Sequence, residues 1–168
     1  MKTRWLLLFA LLSLSLAGSA QTAAQKSFDQ LKTLAGSWQG VIAGTGSKED
    51  GKAVHLSLRV TSMGNALMHE MQVDGRQDDP ITMLYLDGDR LLLTHYCDAG
   101  NRPRMVATAS ADSRTVNFEF LDIAGDTQYG HMHHAAFTVL DANHHVEDWT
   151  FMQGEKPVQV HLDLQRAK

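Results

Sequence analysis

The chain has 168 residues, with 15 Lys and Arg against 19 Asp and Glu, a formal net charge of −4 and one cysteine, Cys97. A mildly acidic chain of this length reads as one modest globular domain, and without a basic cluster it lacks the field that phosphate backbones demand, so no nucleic-acid partner is expected. A lone thiol closes no intrachain disulfide, and four-cysteine zinc ribbons are excluded by the same count.

Lys2 and Arg4 precede a mainly apolar run from Trp5 to Ala17, followed by Gly18, Ser19, Ala20 and Gln21. That arrangement reads as a secretory signal peptide over residues 1–20, cut after Ala20. The run is shorter than the roughly 20 residues a spanning helix needs, so no stable membrane anchor is expected. Cleavage would leave 13 basic against 19 acidic residues. In an oxidising compartment a lone thiol is buried or reactive, and Cys97 is read as buried.

Residues 21–168 read as a single domain. Ser27, Phe28, Leu31, Leu34 and Ala35 give a short helical pattern, with Ser27 as N-cap and Gly36 as the stop. From Gly36 onward the pattern changes to ten runs with period-2 alternation, beginning near Ser37, Ala53, Ala66, Ile81, Arg90, Arg104, Thr115, His131, His144 and Val158. Turn pairs such as Asp50-Gly51, Asp74-Gly75, Asp87-Gly88 and Ala142-Asn143 separate them. Pro80, Pro103 and Pro157 are each placed directly before a strand, where the missing N–H is tolerated. Ten antiparallel strands joined by short loops leave exposed edges unless the sheet closes. The expected fold is therefore all-β, a closed antiparallel up-and-down barrel of about ten strands behind a short N-terminal helix.

The string Leu34-Ala35-Gly36-Ser37-Trp38-Gln39-Gly40, a helix end running into Gly-x-Trp-x-Gly, resembles the opening of the calycin group, which includes lipocalins, fatty-acid-binding proteins and nitrobindins. Leu93-Thr94-His95-Tyr96-Cys97 and Gly130-His131-Met132-His133 are similar to phrases in small exported bacterial lipocalin-like proteins. The resemblance implies a lipocalin-like barrel and a Trp38 that packs across its closed end beneath a ligand.

Alternation sorts the side chains. Val116, Phe118 and Phe120 share one face, as do Val158, Val160, Leu162 and Leu164, and Leu91 and Leu93 carry His95 and Cys97 inward with them. Ala135, Phe137 and Val139 take His131 and His133 inside, Trp149 and Phe151 take Glu147, and Leu67 and Met71 take His69. His55, His134, His144 and His145 are read as solvated surface.

Three uses of the inward cluster stay open. Trp38, His69, His95, Cys97, His131, His133, Glu147 and Trp149 would line a pocket for a small apolar or amphiphilic molecule. An i, i+2 histidine pair on a strand sets two imidazoles about 7 Å apart, and His95 could join His131 and His133 in a zinc or iron site, with Glu147 as base of a metal-assisted hydrolase. The cluster could equally be a satisfied polar plug. Nitrobindins hold haem through a late histidine, and His161 stands at a comparable distance from the end. Alternation sends His161 outward, however, and Ile42 replaces the glycine with which nitrobindins continue the motif. Arg102 and Arg104 are candidates to clamp an anionic head group at the mouth. No nucleophile elbow, phosphate loop or His-Glu-x-x-His motif is present, so no catalysis is expected, and no cofactor is named. Mass spectrometry of exported protein should find an N-terminus between Gln21 and Gln25, whereas intact Met1 would contradict the signal-peptide reading.

Overall fold

The computed structural model describes residues 21–168 except Asp78, Ala109 and Ala111, and the expected signal peptide lies outside the described residues. A single helix, α1 (Ala23–Lys32), precedes ten strands: β1 (Gly36–Ala43), β2 (Ala53–Thr61), β3 (Ala66–Val73), β4 (Ile81–Asp87), β5 (Arg90–Tyr96), β6 (Arg102–Thr108), β7 (Thr115–Ala124), β8 (His131–Asp141), β9 (His144–Gln153) and β10 (Lys156–Arg166). Each strand pairs antiparallel with its neighbour in sequence, and β1 pairs with β10, so the sheet closes into an up-and-down barrel with no free edge. No helix among the described residues is long and apolar enough to cross a membrane.

The helix starts earlier than expected. Thr22, not Ser27, is the N-cap, its hydroxyl accepting the Gln25 backbone N–H at 3.1 Å, and the Ala23-Ala24 pair extends the first turn. Phe28, Leu31 and Leu34 are buried in the core beside Trp38, so the helix stops one end of the barrel. Two prolines differ from their assigned places. Pro103 and Pro157 are the second residues of β6 and β10 rather than the residues before them.

Trp38 fastens the closed end. Its indole N–H donates to the Leu34 carbonyl at 2.8 Å, and the Arg166 guanidinium lies over its ring at 4.1 Å. Arg166 also donates to the carbonyls of Ala35 at 3.0 Å and Ala142 at 2.8 Å. The end of the helix, the last strand and the β8–β9 turn therefore meet at one side chain.

Gly-x-Trp-x-Gly has a steric explanation here. A Cβ on Gly40 would collide with the Asp163 backbone carbonyl across the β1–β10 seam, and Gly36, at φ +137°, sits against the Arg166 guanidinium. The pair lets the first and last strands approach closely on either side of Trp38. Gly40→Ala is expected to lower stability by about 1–3 kcal/mol through this overpacking, read from urea unfolding midpoints. An unchanged midpoint would show that the seam yields without cost.

Candidate functional site

Because the chain runs up and down, the loops after β1, β3, β5, β7 and β9 all gather at the end opposite α1. A cavity of about 590 Å³ opens there. Its walls are the inward rows of the strands, including Ile42, Met71, Val73, Met132, Phe151, Val158, Val160 and Leu162. At the rim, Arg76 pairs with Glu49 at 3.6 Å and with Asp98 at 3.3 Å, tying three of the loops together.

The floor is polar. His69, Thr82 and His95 are register partners across β3, β4 and β5, so one row carries all three into the lumen. All three are buried, and all line the cavity with Trp149. Thr82 Oγ1 and His95 Nδ1 are hydrogen-bonded at 2.8 Å. The His69 and His95 rings lie 6.0 and 5.6 Å from the Trp149 ring, centroid to centroid.

Beneath this floor sits a fully buried carboxylate. Glu147 Oε2 accepts from His69 Nε2 at 3.1 Å and from the Trp149 indole N–H at 3.0 Å, while Oε1 accepts from His145 Nε2 at 3.1 Å. His145 in turn packs edge-on against Trp38 at 4.2 Å. Burial raises the Glu147 carboxyl, but the His69 charge and the hydrogen bonds from His145 and His69 outweigh it, holding the group well below the usual carboxylate range. Three N–H donors thus satisfy one anion.

Six of the expected residues therefore belong to one column: Trp38 at the base, Glu147 above it, then His69, His95 and Trp149 at the floor, with Cys97 nearer the mouth, half-buried there and not fully buried as expected. Burial pushes the Cys97 thiol up to about 11, so it is not a ready nucleophile.

His131 and His133 do not line the cavity, a correction to the alternation argument. Ala135 and Phe137 are buried as expected, but the β8–β9 register shifts between Met132 and His134. That bulge places Met132 on the cavity wall and sets the two histidines against Phe120 instead, with ring distances of 5.2 and 4.8 Å. Phe120 keeps the register of Val116 and Phe118, opposite Met105, but it is only half-buried and does not join their core cluster. His131, His133 and His95 accordingly do not converge, and among the described residues no three His, Cys, Asp or Glu side chains are disposed to hold a metal ion.

His145 is the second correction. Read as solvated turn, it is fully buried, because the inward row of Trp149 and Glu147 continues two residues further toward the turn. Extending the same alternation would have found it, and Thr82 likewise shares parity with Leu84. His161 points outward, bonded to Asp148 at 2.7 Å on the barrel exterior, so the residues here do not fit a haem ligand at that position. Arg104 is held by Asp122 across the β6–β7 pair, and neither Arg102 nor Arg104 lines the cavity.

No known family profile matches the chain, and no curated protein does. Among solved structures it is similar to Rv2717c from M. tuberculosis, with a TM-score of 0.60 and 16% identity over 84% of this chain and 98% of that one. It is also similar to a protein of unknown function from the DUF3598 family of Nostoc punctiforme, with a TM-score of 0.53 and 11% identity. That likeness covers 82% of this chain and 49% of the other, so the chain spans about half that relative's length. At these identities the likeness establishes the ten-stranded barrel and nothing of its use.

The floor makes stability depend on pH. Burial, with the charge of His69 second, pushes the His95 imidazole down to about 4. Unfolded His95 would take a proton near pH 6.5, so its contribution is full above that value and is lost as pH falls toward 4, up to about 3 kcal/mol. Glu147 adds a further loss below about pH 4.5, where an unfolded carboxyl protonates and the native one resists. Urea midpoints should fall across pH 6.5 to 4 in the wild type and fall less steeply in His95→Leu. Parallel profiles would remove His95 as the cause.

Proposed function

We propose that the protein is an exported, lipocalin-like binder that holds a small, mainly apolar or amphiphilic molecule in the barrel lumen and performs no chemistry on it. The cavity carries the reading. Its volume falls within the range of about 300–1,000 Å³ usual for small-molecule sites, its walls are aliphatic and aromatic, and its few polar groups cluster at the floor. The Gly-x-Trp-x-Gly opening and the packing of Trp38 across the closed end support the calycin resemblance. Lys2, Arg4 and the short apolar run that follows support export to the periplasm or medium.

A plugged barrel remains the second reading, favoured by the satisfied Glu147 network. The network occupies the lumen only between Trp38 and the floor, however, and leaves the upper lumen to the cavity.

Native mass spectrometry of freshly purified protein should show a co-purified small molecule. Val160→Trp, which fills the cavity from its wall, should lower uptake of an apolar fluorescent probe about tenfold or more, equivalent to about 1.4 kcal/mol. Far-ultraviolet circular dichroism should show the barrel intact in that variant. A clean apo mass, with probe uptake absent or untouched by Val160→Trp, would favour the plug.

A further inference from the structure

The two imidazoles of the floor each keep one nitrogen unused. His69 gives Nε2 to Glu147, and its Nδ1 is buried without a partner. His95 gives Nδ1 to Thr82, and its Nε2 has no hydrogen-bond partner among the described residues. A polar atom left unpaired in an apolar interior is costly, of the order of 1–3 kcal/mol, and His95, itself buried, borders the cavity with its Nε2 uncommitted, so that nitrogen is the point at which something polar completes the floor. Both rings approach the indole of Trp149, one at 6.0 Å and the other at 5.6 Å, and Trp149 lines the cavity beside His95.

Charge decides what completes it. Glu147, a buried carboxylate, lies directly below and is already engaged by His69 and His145. Among the described residues that line the cavity, Arg76 is the sole Lys or Arg, and it stands at the rim, paired with Glu49 and Asp98. A ligand carboxylate lowered to the floor would be stripped of water above a buried anion, with no uncommitted cation to meet it. An ammonium would have no exposed carboxylate there, because both Glu147 oxygens are already taken by N–H donors. A hydroxyl meets the requirement, since it both donates and accepts and so suits either tautomer of His95.

Resting on the lumen-binding reading above, we infer that the site selects an uncharged alcohol amphiphile, bound head-down with its hydroxyl on His95 Nε2 beside Trp149 and its hydrocarbon tail toward the loop end. The aliphatic walls between floor and rim, Met71, Met132, Val158 and Val160 among them, receive the tail.

Isothermal titration of the full chain at pH 7 with decanol, decanoate and decylamine tests this. Decanol should bind at least tenfold more tightly than either ion. His95→Leu should remove most of that preference while leaving the Glu147 network untouched, Arg104→Ala, which lies outside the cavity, should leave decanol affinity unchanged, and Arg76→Ala should not raise decanoate to the affinity of decanol. Should His95→Leu fold poorly, Thr82→Val provides a second probe, since freeing His95 Nδ1 reorients the floor without changing its charge and should also weaken decanol binding. If decanoate binds as tightly as decanol, or if its binding depends on Arg76, the ligand sits head-up at the rim and the inference falls, while Val160→Trp sensitivity would keep the lumen-binding reading. If none of the three binds and the purified protein carries no guest, both readings fall together.

Discussion

A carboxylate without solvent exposure must be satisfied from within the protein, and Glu147 imposes that requirement on the whole barrel. Its donors come from β3 and β9, on opposite sides of the lumen, so the anion is stable only when the sheet has closed around it. His145 carries the constraint down to Trp38 by an edge contact, and Trp38 passes it to the helix through the Leu34 carbonyl. His69 carries it up to the cavity. Breaking the column anywhere leaves an unpaired donor or a bare anion in an apolar interior, which is why the lower lumen is one cooperative unit.

The upper lumen obeys a different rule. There the walls are unlinked aliphatic and aromatic side chains whose burial depends on area, and a guest that covers them gains in proportion to the surface it hides. The barrel is thus rigidly specified below the row of His69, Thr82 and His95 and adaptable above it. That row is the boundary between the part that holds the fold and the part that would accept the proposed ligand.

Most of the fold could be read from the chain because a strand repeats every two residues and the turns are marked by Asp-Gly, Gly-Asn and Ala-Asn pairs. Strand starts at Ala53, Ala66, Ile81, Arg90, Thr115, His131 and His144 fall where the alternation places them. Alternation also put His69, His95, Glu147 and Trp149 on the inner face. It failed at His131 and His133 for a specific reason: a bulge inserts one residue and reverses parity beyond it, and nothing in Gly130-His131-Met132-His133 announces the insertion. It failed at His145 for the opposite reason, because the inward row was cut short at an assumed turn although the parity continued. The helix cap at Thr22 was legible in composition but overshadowed by the apolar pattern that begins at Phe28.

The pairing of Arg76 with Glu49 and Asp98 has a consequence for timing. Closure of β1 on β10 leaves no gap in the wall, so the proposed guest would enter or leave through the loop end, past a side chain that joins three loops at once. Those ion pairs are partly exposed and screened by salt, with a Debye length of about 8 Å at physiological ionic strength, whereas the floor is shielded from it. Dissolved salt would therefore loosen the rim without altering the floor, and the residence time and affinity of the proposed guest would respond to different properties of the surrounding medium.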